Sequence, residues 1–122
     1  MLGIETKCLS ADRTGILVGK CIHVYKGFYK KANAVVGDRI LISVRKTVAA
    51  KSVKKKISQA VVIRAKCWDG RLSGSFVRFA ENSFVTFEEG LAYKGPFVRG
   101  PVSAKLLYNY FKDVNFLAVA VV

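Results

Sequence analysis

The sequence has 122 residues, 52% of them hydrophobic, and its 21 lysines and arginines against 8 acidic residues give a formal net charge of +13. This length predicts one domain over residues 1–122, and the hydrophobic content excludes a disordered tail protein. A compact domain with this charge repels itself unless a polyanion neutralises it, so we expect a nucleic acid or an anionic membrane surface as partner.

A membrane partner is poorly supported by the distribution of apolar and basic residues. The longest uninterrupted apolar run, Phe116–Val122, is far too short to span a bilayer. The basic residues are interleaved with strand-like segments rather than laid along an amphipathic helix. No presequence is recognised before the first strand-like stretch. The sequence therefore predicts a nucleic-acid partner, no membrane and no small-molecule substrate.

The first half of the chain contains two strand-like segments. Gly15–Tyr25 is rich in β-forming residues, and Val36–Asp38 has the composition of a turn. Arg39–Arg45 alternates as a half-buried strand does. Its predicted inner face carries Ile40, Ile42 and Val44.

The second half predicts further short strands separated by turns. Gln59–Lys66 reads as a strand, and Asp69-Gly70 is a tight-turn signal. Two more short strands are predicted in "SFVRF" and "NSFVTF", with a turn at Glu88–Gly90. In the strand 59–66, one face carries Val61, Ile63 and Ala65, and the opposite face carries Val62, Arg64 and Lys66. Several short, closely spaced strands favour a mainly β fold built as a small barrel.

The C-terminal part has helical spacing instead. Pro101 suits the first turn of a helix, and an apolar stripe follows it. The stripe consists of Leu106, Leu107, Tyr110, Phe111 and Val114. We therefore predict a short helix there, followed by an apolar segment that packs on the barrel.

The sequence contains only weak signals for catalysis or for metal binding. Cys8, Cys21 and Cys67 have spacings that match no zinc or redox motif, and buried thiols are the favoured interpretation. Together with His23 they could supply four zinc ligands, the less favoured alternative. Cys21 and His23 are two residues apart and would share one face of a strand, but nothing marks an orienting group or an oxyanion site. We predict no enzyme, no metal and no cofactor.

The basic residues form clusters next to turns, where they can reach an RNA phosphate. A solubilising surface would mix signs, whereas this excess is one-signed. The aromatic Phe28, Tyr29 and Trp68 either stack on splayed bases or cover the barrel ends. The predicted RNA-binding residues are Lys26, Lys30, Lys31, Arg45, Lys46, Lys51, Lys54, Lys55, Lys56, Arg64, Lys66, Arg71, Arg78 and Arg99.

Several motifs resemble one known family, the universal fourteenth protein of the large ribosomal subunit. "LSADRTG" is similar to the family's Asp-Asn-Ser-Gly type turn, and "VVGDRILISVRK" to its Val-Gly-Asp strand entry. "KSVKKKISQAVVIRAK" resembles its lysine loop and Val-rich strand. The central signature is matched by Ala60–Ile63, Ser73-Gly74, Phe79, Asn82 and Val85.

The chain departs from the family pattern at two places. The signature expects an aliphatic residue after Val85, and this chain has Thr86. The family's Gly-Thr-Arg-Ile-Phe-Gly-Pro stretch corresponds to "GPFVRGP", Gly95–Pro101, in which the Thr-Arg pair is missing.

The resemblance implies a five-stranded closed barrel with a projecting β-ribbon and short C-terminal helices. It implies large-subunit rRNA as a partner through Lys26–Lys31 and Lys51–Lys56, and a bridge to small-subunit rRNA. It also implies the third and nineteenth large-subunit proteins as neighbours. The departures, the aromatics and the cysteines favour an organelle-encoded protein of a mitochondrial ribosome, with a bacterial or plastid ribosome as the alternative. A free-standing single-strand-binding barrel is the alternative function.

Overall fold

The protein is described by a computed structural model over residues 2–25, 33–48, 56–87, 98–108 and 118–122. Nearly all of its regular structure is β. The strands are, in chain order, β1 (Lys7–Ser10), β2 (Ile16–Val24), β3 (Arg39–Thr47), β4 (Ile57–Arg64), β5 (Asp69–Gly70), β6 (Phe76–Val77), β7 (Ser83–Phe87), β8 (Val98–Val102) and β9 (Ala118–Val121). One 3-10 helix, Ala104–Tyr108, lies between β8 and β9.

Five strands form a closed barrel in the order β1-β2-β3-β4-β7. Neighbouring strands are antiparallel except β1 and β7, whose parallel pairing closes the barrel. Closure leaves these strands without free edges, which is how small β proteins avoid edge-to-edge aggregation. The predicted small barrel is confirmed, and its number of strands is the one that the family resemblance implies.

Strand β3 follows the alternation predicted from its sequence. Ile40 and Ile42 are fully buried, whereas Arg39 and Arg45 are exposed. The turn predicted at Val36–Asp38 is also present, with Gly37 in a left-handed conformation at φ 93°. Alternation was informative here because the outer face of this strand remains open to solvent.

Strand β4 differs, because it is buried on both faces. Every residue from Ala60 to Ala65 is buried, so Val62 and Arg64 are as inaccessible as Val61 and Ile63. The C-terminal part adds buried Val98, Val102 and Leu106 to the same apolar cluster. The two faces predicted for this strand are therefore both buried, because another layer covers the side of Val62 and Arg64.

Strand β2 contains a bulge that separates Cys21 from His23. Cys21 pairs with Ile42 and His23 with Leu41, so the register shifts by one residue between them. Cys21 is fully buried, whereas His23 is exposed. The expectation that these two side chains share a face is wrong, because the bulge inserts an extra residue into the alternation.

Strands β5 and β6 form a small antiparallel ribbon outside the barrel. The predicted turn at Asp69-Gly70 is wrong, since these two residues are the strand β5. The chain reverses after them, where Gly74 donates its N–H to the carbonyl of Arg71 (3.0 Å) at φ 86°. The segment "SFVRF" contributes only Phe76–Val77 to regular structure, whereas "NSFVTF" supplies the barrel strand β7.

The C-terminal part contains less helix than predicted. Pro101 belongs to β8, which pairs in parallel with β9, so it does not begin a helix. The described helical structure is the 3-10 turn at Ala104–Tyr108, in which Leu106 is buried. Tyr110, Phe111 and Val114 of the predicted stripe lie outside the described residues, as does the turn predicted at Glu88–Gly90.

The described end of the last segment is a strand, and its first residue, Ala118, packs against the apolar core as predicted. Val121 and Val122 are 44% and 51% exposed, so the segment does not pack on the core along its whole length. Phe116 and Leu117 lie outside the described residues. Among the described residues, no helix is long and apolar enough to cross a membrane.

Candidate nucleic-acid interface

Six of the predicted RNA-binding residues lie outside the described part of the chain. They are Lys26, Lys30, Lys31, Lys51, Lys54 and Lys55. The other eight are described, and they divide into two exposed groups and two internally engaged arginines.

The first exposed group lies where β3 ends and β4 begins. Arg45 and Lys46 are exposed near the end of β3, and exposed Lys56 directly precedes β4. The backbone N–H of Val44 donates to the carbonyl of Lys56 (2.7 Å), so the two ends of the hairpin are adjacent. The structure therefore brings these three cations to one end of the barrel.

Two arginines from other elements flank the same end. Arg13 and Arg99 line a cleft of about 410 Å³ together with Gly15 and Val48. Val48 directly follows β3, and its N–H donates to the carbonyl of Gly15 (2.8 Å). The sequence predicts Arg99 as an RNA-binding residue but not Arg13, which lies in the turn after Asp12.

These five residues define what we call the cationic end: Arg13, Arg45, Lys46, Lys56 and Arg99. The carboxylate nearest along the chain, that of Asp12, is bonded to groups in the interior. Asp12 is 1% exposed and accepts hydrogen bonds from Thr86 N (2.8 Å) and Thr86 Oγ1 (2.6 Å). The cationic end can therefore attract phosphate through both point charges and guanidinium groups.

The second exposed group is on the ribbon. Lys66 and Arg78 are exposed, and the guanidinium of Arg78 lies 4.9 Å from the ring centroid of Trp68. Trp68 itself is 65% exposed, so it does not cover a barrel end as an apolar lid. The Asn82 side-chain oxygen accepts a hydrogen bond from Lys66 N (2.9 Å) at the base of the ribbon.

Arg64, although predicted as an RNA-binding residue, is engaged inside the molecule. Its Nη1 donates to the carbonyls of Arg99 (2.7 Å) and Pro101 (2.8 Å), and its Nη2 contacts the Glu81 carboxylate at 3.1 Å. The side chain is 6% exposed. Burial lowers the pKa of Arg64 and the Glu81 charge partly offsets this. Arg64 therefore holds β8 to the end of β4 and presents no group to a phosphate.

Arg71 is engaged in a similar way. Its Nη2 donates to the Ser103 hydroxyl (3.0 Å) and to the carbonyl of Val122 (2.9 Å). This arginine joins the turn of the ribbon to the C-terminal strand. Its basic character in the sequence did not distinguish a structural role from a surface role.

The cysteines do not form a catalytic or metal site in the described residues. Burial raises the pKa of the Cys8 thiol to about 12, and nearby Cys21 adds to the shift. Burial also raises the pKa of Cys21, and its hydrogen bond to the carbonyl of His23 opposes this. The thiolate is the form that attacks or ligates, and the raised pKa disfavours it at both cysteines. Cys67 is half-buried, and no described group of three or more potential ligands is placed for a metal ion.

The buried-thiol interpretation is thus confirmed for Cys8 and Cys21.

One comparison with known proteins bears on the whole chain. The family model described as ribosomal protein L14p/L23e matches residues 1–122. This is the family that the turn, the Val-Gly-Asp entry and the central signature resemble. The chain belongs to the ribosomal protein L14p/L23e family and is a large-subunit ribosomal protein.

Proposed function

We propose that this protein, acting as one domain, is a structural constituent of the large ribosomal subunit that binds large-subunit rRNA through its cationic end. The observation that carries the proposal is the convergence of Arg45, Lys46 and Lys56 where β3 and β4 meet. In the sequence, the lysine-rich stretch Lys51–Lys55 belongs to the connection between these strands. A closed barrel is a rigid support for the two strand ends, so Arg45, Lys46 and Lys56 need little further ordering to meet packed phosphates.

The alternative of a free-standing single-strand binder is less well supported by the barrel. Such a barrel needs aromatic side chains on an exposed strand face, where successive bases stack. In the five described barrel strands the aromatic side chains are Phe84 and Phe87, and both are buried. The barrel strands therefore offer phosphate-binding charge at one end rather than a stacking surface.

Finer assignments rest on the family rather than on contacts within this chain. We propose that the protein helps form a bridge to small-subunit rRNA and adjoins the third and nineteenth large-subunit proteins. We propose a mitochondrial ribosome as its location, supported by the departures from the family pattern at Thr86 and Gly95–Pro101. We also propose that its role is structural and not catalytic, as is general in this family.

The test of rRNA binding is the salt dependence of affinity for a large-subunit rRNA fragment. Changing Lys54, Lys55 and Lys56 together to Ala should lower the slope of log affinity against log salt. Each lost phosphate contact lowers it by about 0.7–0.9. Fluorescence anisotropy of labelled RNA at a series of salt concentrations measures both the affinity and the slope.

A matched pair of single variants controls for net charge. Lys56→Ala and Lys7→Ala each remove one exposed lysine, but only Lys56 belongs to the cationic end. We expect Lys56→Ala to lower the slope and Lys7→Ala to leave it near the wild-type value. Equal slopes for the wild-type protein and the triple variant would show that this connection does not face RNA.

A further inference from the structure

The ribbon presents two different faces. Trp68 and Arg78 are opposite each other, because Asp69 pairs with Val77 in the adjacent position. Side chains alternate between the faces of a ribbon, so Trp68, Phe76 and Arg78 share one face and Asp69 the other. We call the first the outer face, and it carries two aromatic rings and a guanidinium.

The inner face is fastened to the body of the protein. The Asp69 carboxylate pairs with Lys105 Nζ at 2.8 Å, and its side chain is only 17% exposed. At the turn, Arg71 donates to Ser103 Oγ (3.0 Å) and Val122 O (2.9 Å). The ribbon is therefore held by polar contacts at both ends, and its outer face is directed to solvent in a fixed orientation.

The outer face exposes an unusual amount of aromatic surface. Trp68 is 65% and Phe76 is 66% exposed, and the Phe76 ring lies over Gly70, where a Cβ would be 3.4 Å from its Cε1. The Arg78 guanidinium is held over the Trp68 ring at 4.9 Å. A flat indole backed by a cation is the arrangement on which proteins stack unpaired bases.

Charge distinguishes a nucleotide from an apolar protein segment as the occupant. The two carboxylates next to the ribbon are both ion-paired, Asp69 with Lys105 and Glu81, whose side chain is 43% exposed, with buried Arg64. Lys66 and Arg78 are exposed beside the aromatic rings. The surface therefore combines stacking rings with net positive charge, which matches a base and its phosphate and is unfavourable for a purely apolar partner.

We propose that the outer face of the ribbon is a stacking site for an unpaired RNA base, with Trp68 as the stacking ring and Arg78 beside the nucleotide's phosphate. This inference rests on the proposed rRNA-binding function and adds a second, chemically different site to the cationic end. The cationic end binds phosphates irrespective of base pairing, whereas the outer face requires a base that is splayed out of a duplex.

The test uses the single tryptophan of the chain, Trp68, as its own reporter. The full-length protein is titrated with short single-stranded oligoadenylate and oligouridylate and with a duplex of the same length. Tryptophan emission and the anisotropy of labelled RNA are recorded in parallel. We expect saturable quenching by the single strands and little quenching by the duplex, while anisotropy reports binding of both.

Variants separate the effect of an aromatic ring on RNA binding from the effect of an apolar side chain. Trp68→Leu should weaken single-strand binding about 5- to 150-fold, because one stacked base is lost. Trp68→Phe should restore most of that affinity. Leu72→Ala removes a fully exposed apolar side chain at the turn of the ribbon and should change affinity within about twofold.

The outcomes distinguish failure of this inference from failure of the proposed function. RNA binding by anisotropy with unchanged emission, or with wild-type affinity in Trp68→Leu, would overturn the stacking site and leave the cationic end in place. Equal quenching by single strands and duplex would also overturn it. No binding to any RNA at low salt would overturn the proposed function itself.

Discussion

Asp12 is a buried carboxylate that joins the loop after β1 to strand β7. Its Oδ1 accepts hydrogen bonds from Ser10 Oγ and Thr14 Oγ1, both at 2.7 Å. Its Oδ2 accepts from the backbone N–H and the hydroxyl of Thr86, and Thr86 is fully buried. The family signature expects an aliphatic residue at position 86. In this chain the threonine hydroxyl instead satisfies a charge that would be costly to bury alone.

Thr86→Val tests this arrangement at the scale of one hydroxyl. The change keeps the shape but removes the donor to Asp12, so the free energy of unfolding should fall by about 1.5–3 kcal/mol, as for a hydrogen bond to a charged group. Urea denaturation measures it. Thr47→Val, at an exposed position near the end of β3, should stay within about 0.5 kcal/mol. An unchanged stability of Thr86→Val would mean that Ser10 and Thr14 satisfy Asp12 without it.

At the scale of elements, the contact between β4 and β8 depends on a glycine. Gly100 has φ 75°, and a Cβ there would lie 2.6 Å from Arg64 Nη1. The carbonyls on either side of this residue, those of Arg99 and Pro101, both accept from the same guanidinium nitrogen. The left-handed glycine therefore lets the strand present two carbonyls to one buried arginine.

Gly100→Ala should destabilise the protein more than Gly74→Ala. Both glycines are left-handed, so each alanine costs about 1–2 kcal/mol in backbone strain. Only at Gly100 must Arg64 also move, since nothing lies within 4 Å of a Cβ at Gly74. Thermal or urea unfolding of the two variants measures the difference. Equal destabilisation would show that Arg64 adjusts without losing its hydrogen bonds.

At the scale of the whole molecule, the net charge of +13 is distributed unevenly over the described surface. Five cations gather at the cationic end, while two of the described carboxylates, Asp69 and Glu81, are ion-paired with Lys105 and Arg64. Basic residues outnumber acidic ones 21 to 8 in the sequence, so these pairs leave a large excess of positive charge. Such a protein is self-repelling when free and is stabilised when a polyanion neutralises it.

Sedimentation of the endogenous protein tests the assembly that this charge implies. In a sucrose gradient of a lysate and its organelle fraction, the chain should co-migrate with large subunits. It should also remain bound after a high-salt wash, because many contacts with phosphates and with neighbouring proteins would have to break at the same time. Recovery from the mitochondrial fraction is the expected location. A peak in the light fractions, or release by modest salt, would indicate a free RNA-binding barrel instead.

Much of the fold follows from local patterns in the sequence. The strand β3, the turn at Gly37 and the barrel class were predictable, because a half-buried strand alternates and a left-handed turn selects glycine. The cationic character of the β3–β4 connection was equally visible in the sequence, and Lys56, its described lysine, is exposed. These features depend on residues that are close together in the chain, so they can be recognised from the sequence.

What only the tertiary structure decided depends on partners distant in the chain. Arg64 and Arg71 resemble surface arginines in sequence, yet the carbonyls and hydroxyls that engage them come from β8 and the C-terminus, more than thirty residues away. The bulge that separates Cys21 from His23 arises from pairing with β3. The outer face of the ribbon exists because Asp69 is held by Lys105. The burial and direction of a side chain depend on how the strands and layers pack against each other. The sequence alone therefore indicates the chemistry of a residue but not its position in the structure.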